Sequence, residues 1–466
     1  MIADLKPYPG YKESGIAWLG RVPRHWVPTR LKHAFKRIIG GSTPASGNSR
    51  HWNGGVTWVT PADVSRSERL RRSIRQISRV GMLSCSTEMV PKGSIILTSR
   101  APVGNVAIAE VDLCTNQGCK ALIPDHTVVA PMFGFWLLSI MKAELQSLST
   151  GTTFSEISTS RLAAAFGVLP PPDEQAAIVR FLDWANGRLE RAIRAKLKVI
   201  VLLNEQKQAI IHRAVTRGLD RSVPLKPSGI PWLGDIPHHW EVRRIKYLLR
   251  EVDERSTTGS EPLLSMRMHH GLVLFAEHFS RPPQAATLVG FKIVRPGQFV
   301  VNRMQAGNGV IFASTLTGLV SPDYAVFDPI GDADVEFLGE LFRSRTVRAK
   351  FRAESKGLGT GTSGFLRLYN DRFGAIHVAL PPRAEQRNIL TGVAGELSGV
   401  NTAISRLERE IELLREYRTR LVADVVTGKL DVREAAQLPE EATPDTAEDD
   451  TDLSIDPEAA DEEVVV

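Results

Sequence analysis

The chain has few cysteines and no long apolar run. Its 466 residues include three cysteines, Cys85, Cys114 and Cys119, whose spacing fits neither a CxxC pair nor a zinc site. We therefore expect reduced thiols and no bound metal, as in cytosolic proteins. No segment approaches the roughly 20 apolar residues of a membrane span, and the first residues lack the basic and apolar parts of a signal peptide. The expected location is the cytoplasm.

Compact catalytic motifs are also missing. The chain contains no GxxxxGK[ST] phosphate loop, no Asn/Asp-Pro-Pro-Tyr/Phe tetrapeptide of DNA amino-methyltransferases and no glycine fingerprint for their methyl donor. His25, His238 and His239 lie in turn-rich segments, where a structural role is favoured over general-base catalysis. We predict no catalytic residue. A stand-alone nuclease stays an alternative, because scattered acidic and lysine side chains leave no compact signature.

Basic residues are absent from residues 440–466, which carry twelve acidic residues. Because the whole chain has a net charge of +6 and this tail contributes −12, the rest carries about +18. A body this basic favours a polyanion, and nucleic acid leads because no membrane element is found. The alternative is an ordinary solvated basic surface. The tail is predicted to be disordered, and a solvating role is favoured over screening of DNA contacts.

One long helical stretch occurs twice. It covers residues 169–220 and returns 211 residues later, opening both times with Leu-Pro-Pro and Glu-Gln before apolar residues spaced three or four apart. About 44 helical residues would span about 65 Å, and their apolar seam needs a partner. We predict that the two helices pair with each other; packing on separate globular domains and homodimerisation are the alternatives. The predicted interface residues are Leu182, Leu189, Leu197, Leu203, Val393, Leu397, Ile404, Leu407, Ile411 and Leu414.

A short Gly- and Trp-rich segment is duplicated as well. The first Trp segment, residues 8–26, contains Gly-Ile-Ala-Trp-Leu-Gly and Pro-Arg-His-Trp; the second, residues 227–240, contains Gly-Ile-Pro-Trp-Leu-Gly and Pro-His-His-Trp. Indoles at fixed spacing among turn residues indicate docking. We expect each Trp segment to seat its repeat against the base of the preceding or partner helix.

Two globular segments separate these repeats. In the first, β-type runs cover residues 56–60, 94–98 and 103–109, and an apolar helical stretch covers 132–148. In the second, strands are predicted over residues 272–275, 297–301 and 310–313, and a helix over 335–351. The segments that flank the two globular segments are alike, but the globular segments themselves (the inserts) differ. This is typical of one scaffold (the frame) that presents two different recognition surfaces.

The ordered double set of motifs resembles the DNA specificity subunit of type I restriction–modification systems. The matching motifs are Gly-Ile-x-Trp-Leu-Gly with Pro-x-His-Trp, Leu-Pro-Pro with Glu-Gln, and Thr-x-Gly/Lys-Leu-Asp, and they span about residues 8–435. Residues 41–44, 52, 56–63, 91–96 and 115–117 resemble one type of recognition insert. Residues 263–265, 303–304, 309–311 and 318–324 resemble another.

The resemblance implies an α+β protein. Two α/β target-recognition domains would be separated by two long antiparallel coiled-coil helices, with an internal pseudo-two-fold duplication. The predicted domains are residues 1–168 (first Trp segment and recognition domain), 169–220 (first spacer helix), 221–379 (second Trp segment and recognition domain), 380–436 (second spacer helix) and 437–466 (acidic disordered tail).

The resemblance also implies a non-catalytic reader of double-stranded DNA. Each recognition domain would read one half of a split, asymmetric target. Two methyltransferase (M) subunits and the restriction and translocase (R) subunits would be its partners. S-adenosylmethionine, ATP and Mg would be bound by those partners and no cofactor by this chain.

Base edges in the major groove are read by polar side chains on firm loops. For each candidate the alternative is an ordinary polar loop residue, and for the Gly-Thr loops at residues 151–153 and 359–362 it is a structural turn. The basic run from Arg66 to Arg75 is a candidate for backbone contacts. The candidate DNA-binding residues are Ser42, Thr43, Arg50, Arg100, Asn105, Asn116, Gln117, Thr152, Thr153, Arg267, His269, Arg303, Gln305, Asn308, Thr360 and Thr362. A coiled-coil adaptor that binds only proteins is the alternative function.

Overall fold

The computed structural model describes residues 5–100, 102–150, 155–268, 270–279, 282–358 and 365–435. These residues form two compact units. The first unit lies within residues 1–194 and 410–445, and the described part of the second lies within 195–409. Both long helices therefore contribute residues to both units.

The first unit contains twelve short strands, six short helices and the beginning of a long helix, counted over the described residues. The strands are Tyr11–Glu13 (β1), Arg21–Pro23 (β2), Val27–Arg30 (β3), Phe35–Gly40 (β4), Trp52–Val59 (β5), Arg69–Leu70 (β6), Gln76–Ile77 (β7), Ile95–Thr98 (β8), Val106–Ala109 (β9), Cys114–Thr115 (β10), Cys119–Pro124 (β11) and Phe166–Leu169 (β12). The helices are Leu31–Ala34 (α1), Pro61–Arg66 (α2), Arg79–Leu83 (α3), Pro131–Ile140 (α4), Lys142–Ser147 (α5), Thr159–Ala164 (α6) and the long Pro172–Arg217 (α7).

The second unit repeats this kind of arrangement. Its described strands are Leu225–Pro227 (β13), Asp235–Pro237 (β14), Glu241–Arg244 (β15), Leu249–Val252 (β16), Leu264–Arg267 (β17), Gly271–Leu274 (β18), Lys292–Val294 (β19), Phe299–Val301 (β20), Ile311–Ala313 (β21), Gly318–Val320 (β22), Ala325–Pro329 (β23), Lys356–Leu358 (β24), Phe365–Arg367 (β25) and His377–Leu380 (β26). Its helices are Phe275–His278 (α8), Val335–Arg343 (α9), Arg345–Glu354 (α10), Asn370–Ala375 (α11) and the long Arg383–Val426 (α12), with a 3-10 turn at Ala306–Asn308.

Mixed helix and sheet content is confirmed in both units. A five-stranded sheet in the first unit has the order β4-β11-β8-β9-β6, and a four-stranded antiparallel sheet in the second has the order β16-β23-β20-β21. The predicted strands are confirmed as β5, β8 and β9 and as β18, β20 and β21. The two predicted helical stretches are each divided in two, at Met141 and at Ser344, because these residues leave helical geometry or cap the next helix.

One strand pair is the same in both units and sets the position of the Trp segment. β3 pairs antiparallel with β12, with Val27 opposite Leu169, and β15 pairs antiparallel with β26, with Glu241 opposite Leu380. In each unit the strand after the tryptophan therefore lies beside the strand that leads into a long helix. This pairing brings the indole to the first turn of that helix.

The two long helices pack against each other within each unit. In the first unit, Phe181 and Leu182 of α7 share a core with Leu421 and Val425 of α12. In the second unit, Lys207 Nζ donates to Asn401 Oδ1 at 2.9 Å and Arg213 Nη2 lies 3.4 Å from Glu396 Oε1. Residue numbers rise along one helix as they fall along the other, so these segments are antiparallel.

The predicted interface residues differ in burial. Each helix of a pair covers only the centre of the other's apolar stripe, so side chains at the edge of that stripe stay partly exposed to solvent. Leu182, Leu189, Val393, Leu397 and Ile411 are buried, and Leu197, Leu203, Ile404, Leu407 and Leu414 are half-buried.

Candidate functional site

The first junction joins the first Trp segment to the start of α7 through one carboxylate. Trp26 Nε1 donates to Glu174 Oε1 at 3.0 Å, His25 Nε2 lies 2.7 Å from Oε2, and the Tyr8 hydroxyl also donates to Oε1. Only 3% of the Glu174 side chain is exposed. Burial, and then the hydrogen bond to Glu174, raise the pKa of Tyr8 well above its usual value, so the phenol stays a donor.

The second junction repeats this arrangement in the second unit. Trp240 Nε1 donates to Glu385 Oε1 at 3.1 Å, and His239 Nε2 lies 2.6 Å from Oε2. The expectation that each Trp segment seats against a long helix is confirmed. The contacts also assign His25 and His239 to structural hydrogen bonds.

The end of the other long helix completes each junction. Gly428, with φ of 75°, follows α12, and a Cβ there would lie 2.4 Å from Pro23 Cδ and 3.0 Å from Trp26 Cζ3. Gly218, with φ of 77°, follows α7 and lies beside Trp240. A left-handed conformation explains the glycine that follows each helix, and the close approach is a second reason at Gly428 alone.

The glutamine of each Glu-Gln pair holds the globular domain of its unit. Gln175 Oε1 accepts from the Ala130 N–H at 2.8 Å, and its Nε2 donates to the Pro170 carbonyl at 2.9 Å. Gln386 Oε1 accepts from the Asp334 N–H at 2.7 Å, and its Nε2 donates to the Pro381 carbonyl at 2.8 Å. Both amides are buried and bonded at each end. They anchor the loop that precedes α4 or α9 to the base of a long helix.

Four of the candidate DNA-binding residues lie together in the first unit. The Thr43 hydroxyl donates to Gln117 Oε1, the Ser42 N–H donates to the Thr115 carbonyl at 3.1 Å, and Asn116 Oδ1 accepts from the Gly118 N–H at 2.9 Å. The side-chain oxygen of Asn116 therefore already accepts a hydrogen bond within its own turn. The structure joins the loop after β4 to the loop after β10, and DNA reading by these four residues stays a prediction.

Three further candidates lie elsewhere in the first unit. Arg50 is in a 3-10 turn, and its carbonyl accepts from the Ser78 hydroxyl at 2.6 Å. Arg100 and Asn105 lie in the connection between β8 and β9; Arg100 is 4.0 Å from Glu156, and Asn105 Oδ1 accepts from Lys142 Nζ at 2.8 Å.

The basic run has internal partners. Arg69 Nη1 lies 2.9 Å from Glu110 Oε1, and Arg71 bonds to the other oxygen of the same carboxylate. The Arg75 guanidinium stacks 3.8 Å from the centre of the Trp52 ring. These contacts hold three of the arginines on the protein surface, and their contact with DNA stays a prediction.

In the second unit, three candidates line one cleft of about 990 Å³. They are Arg267 from β17, Asn308 from the 3-10 turn and Gln305, which directly precedes that turn. Arg303 is placed differently: its Nε donates to the Asp323 carbonyl at 2.7 Å, which ties it to a neighbouring loop. His269, Thr152, Thr153, Thr360 and Thr362 lie outside the described residues, as does the acidic tail from residue 437 onward.

One similarity between the two recognition domains was missed from the sequence. Arg100-x-x-x-Gly104-Asn105 and Arg303-x-x-x-Gly307-Asn308 join β8 to β9 and β20 to β21. A Cβ at the first glycine would lie 3.0 Å from Lys142 Cγ, and one at the second would lie 2.9 Å from Arg352 Cγ. The spacing of 203 residues differs from the 211 and 214 of the flanking motifs, which concealed the match.

Other classes of site are absent from the described part of the chain. It contains no cluster of three or more His, Cys, Asp or Glu side chains placed to hold a metal ion. It contains no helix long and apolar enough to cross a membrane. Cys85, Cys114 and Cys119 are free, and burial raises the pKa of Cys119 to about 12, which keeps it protonated.

Comparison with known proteins finds a family match over most of the first globular domain. The sequence pattern of the type I restriction modification DNA specificity domain matches residues 23–199. Residues 23–199 are therefore similar to this domain. That range begins within the first Trp segment, includes the first junction and reaches into α7.

Two curated relatives from Methanocaldococcus jannaschii extend the similarity. The chain is 31% identical over 252 residues to the type I restriction enzyme MjaIX specificity subunit, covering 52% of this chain and 54% of that protein. It is 27% identical over 202 residues to a putative MjaX specificity subunit, covering 41% and 45%. The matches thus span about half the length of these relatives. The resemblance to specificity subunits is confirmed.

A solved structure has a similar fold. It comes from work on complex assembly and conformational transition of the type I restriction–modification system. The TM-score is 0.60 at 15% identity, and the similarity covers 88% of this chain and 99% of that one. At this identity the match establishes the fold alone.

Proposed function

We propose that the chain is the DNA sequence-recognition subunit of a type I restriction–modification complex. The observation that carries the proposal is the repeated frame. Two junctions with the same Glu, Trp and His contacts each hold a different recognition domain. A repeated frame with different inserts suits one protein that reads two different half-sites.

Each recognition domain would read one half of a split, asymmetric target. In the first, the joined loops around Thr43 and Gln117 would face base edges; in the second, Gln305 and Asn308 would do so. Amide and hydroxyl groups on loops fixed to a sheet can discriminate bases, because their positions are set before DNA binds.

The long helices would fix the spacing of the half-sites and would dock two methyltransferase subunits, with restriction and translocase subunits added for cleavage. An α-helix keeps a nearly constant rise per residue, which makes an antiparallel pair a suitable spacer. S-adenosylmethionine, ATP and Mg would be used by those partners, and this chain would carry no catalytic step.

The test is genome-wide mapping of methylated adenine in cells that carry this chain with its partner methyltransferase, and in cells that lack this chain. A split, non-palindromic motif that requires the chain is the expected result. Unchanged methylation alongside an active partner would contradict the proposal. It would favour a coiled-coil adaptor, whose purified complex would also lack the steep salt dependence of DNA affinity expected of a reader.

A further inference from the structure

The cleft of the second recognition domain collects positive charge. It lies between the hairpin of β17 and β18, the 3-10 turn at Ala306–Asn308, helices α9 and α10, and a segment of α7, all within the second unit. Four basic side chains line it, namely Lys207, Arg267, Arg343 and Arg348, against one carboxylate, Glu340. The single carboxylate of the lining, Glu340, is bonded to Arg343 at 2.7 Å, so it is already paired with one of these cations.

Arg348 differs from the other arginines of this cleft. Its Nε–H is buried, and among the described residues it has no hydrogen-bond acceptor. A buried donor without an acceptor costs about 1–3 kcal/mol, and more when the group is charged. Desolvation, and then the neighbouring Arg352, lower the pKa of the Arg348 guanidinium, so an anion beside the guanidinium would stabilise its charged form.

The backbone next to Arg348 is shaped for close approach. Gly309 adopts φ of 91°, and a Cβ there would lie 3.1 Å from Arg348 Cδ and Nε. The glycine follows Asn308, whose Oδ1 accepts from Arg352 Nη2 at 3.3 Å. The 3-10 turn and α10 therefore hold Arg348 in one place, with amide groups of the candidate readers along the same cleft.

We propose that Arg348 binds a backbone phosphate of the DNA half-site read by the second recognition domain, an inference that rests on the proposed function. A guanidinium offers planar paired donors that match phosphate oxygens. Gln305 and Asn308 lie in the same cleft, where they can meet a base edge next to that phosphate. Arg348 positions the strand, and the amides supply sequence preference.

The comparable cleft of the first unit is different. Its volume is about 890 Å³, and it lies between α4, α5 and the long helices. Arg418 in its wall is compensated twice, by Glu68 at 3.1 Å and Glu190 at 3.6 Å, and Trp136 and Ile140 make part of the lining apolar. Among the described residues, no arginine that lines this first cleft has a buried nitrogen without a hydrogen-bond acceptor, which Arg348 has in the second.

Arg348→Gln tests the assignment, with Arg345→Gln as the matched control. Arg345 is an exposed cation on the same helix and does not line the cleft. In the complete complex, R348Q should weaken DNA binding and should reduce the magnitude of the slope of log affinity against log salt by about 0.9, which is the value for one phosphate contact. The methylated motif should stay unchanged. R345Q should leave the slope unchanged. Equal slopes for both variants, or a motif relaxed by R348Q, would overturn the proposal.

Inorganic pyrophosphate separates this inference from the proposed function. Added to the full chain without DNA, it should raise the midpoint of thermal unfolding of the unsubstituted protein and of R345Q, but not of R348Q. If the complex binds DNA but R348Q gives the same results as R345Q in both assays, the proposed function stands and the phosphate site is refuted. If pyrophosphate raises the unfolding midpoint only when Arg348 is present, but the complex has no affinity for DNA, the proposed function is refuted. The assignment of the anion as a DNA phosphate is then refuted as well.

Discussion

The two junctions bind the same tryptophan with the same carboxylate but bury that carboxylate to different degrees. The Glu174 side chain is 3% exposed and that of Glu385 is 29% exposed. The first junction also contains Tyr8, whose hydroxyl is a third donor to the carboxylate. At the corresponding place in the second repeat, Ser222 instead bonds to Asp220 at 2.7 Å.

This difference teaches which part of the junction is general. The indole and imidazole contacts occur in both units, so they belong to the repeated frame. The tyrosine contact occurs in one, where the segment around Lys6 also bridges to Asp431 beyond the end of α12. We infer that Tyr8 and the bridge from Lys6 give the first junction contacts that the second junction lacks among the described residues.

The largest expected effect is that of Glu174→Gln. The substitution removes a buried charged acceptor that serves Tyr8, His25 and Trp26. We expect the free energy of unfolding of the first unit to fall by about 3 kcal/mol, since hydrogen bonds to charged groups contribute about 1.5–3 kcal/mol each and do not add fully. The loss of stability is measured by chemical denaturation, with hydrogen exchange of peptides from each unit as the readout. Loss of protection in the second unit alone would contradict it.

The paired glutamines should show no such asymmetry. Gln175→Ala and Gln386→Ala each remove an amide that is hydrogen-bonded at both ends. The two bonds that compare directly are 2.8 Å from the Ala130 N–H and 2.7 Å from the Asp334 N–H. Each should lower the stability of its own unit by about 2 kcal/mol, because a buried N–H and a buried carbonyl are left unpaired. The same denaturation experiment compares them, and a twofold difference between the units would break the equivalence.

Glu385→Gln should have a smaller effect than its counterpart in the first unit. Two donors depend on Glu385, and water reaches part of its side chain. We expect a loss of about 1–2 kcal/mol in the second unit. An effect as large as that of Glu174→Gln would show that Tyr8 and the deeper burial contribute nothing.

Tyr8→Phe should have the smallest effect and makes the first junction resemble the second. It removes one hydroxyl and keeps the ring that packs 5.7 Å from Trp26, centre to centre. We expect a loss of about 1 kcal/mol. In the Tyr8→Phe background, Glu174→Gln should then cost about as much as Glu385→Gln; a cost that stays near 3 kcal/mol would assign the asymmetry to something other than the tyrosine.

The sequence predicted the parts of the fold that depend on local pattern. The long helices follow from a regular apolar spacing bounded by proline and glycine, and the observed Pro172–Arg217 and Arg383–Val426 lie inside the predicted segments. The docking of the Trp segments followed from indoles at fixed spacing. The division of two helices at Met141 and Ser344 was not predicted, since their apolar residues continue across each break.

The site was harder to predict because its contacts are distant in sequence. Glu174 and Trp26 are 148 residues apart, and nothing near either residue specifies the other. Arg348 was missed because four basic residues on one helix, Arg345, Arg348, Lys350 and Arg352, are typical of a solvated face. Arg303 was chosen for its type, and only the fold reveals its bond to the Asp323 carbonyl. Side-chain type suggests a reader, but loop geometry decides which group is free to read.

The most direct test of the account maps methylated adenines for two loop variants in the complete complex. One carries Thr43→Val with Gln117→Leu in the first recognition domain, and the other carries Gln305→Leu with Asn308→Leu in the second. The account predicts that each variant changes the sequence preference of one half-site, a different half in each case, and leaves the spacing between the halves unchanged. Changes in both halves by a single variant, or an unaltered motif in both variants with normal methylation, would contradict the claim that each unit reads its own half of the target.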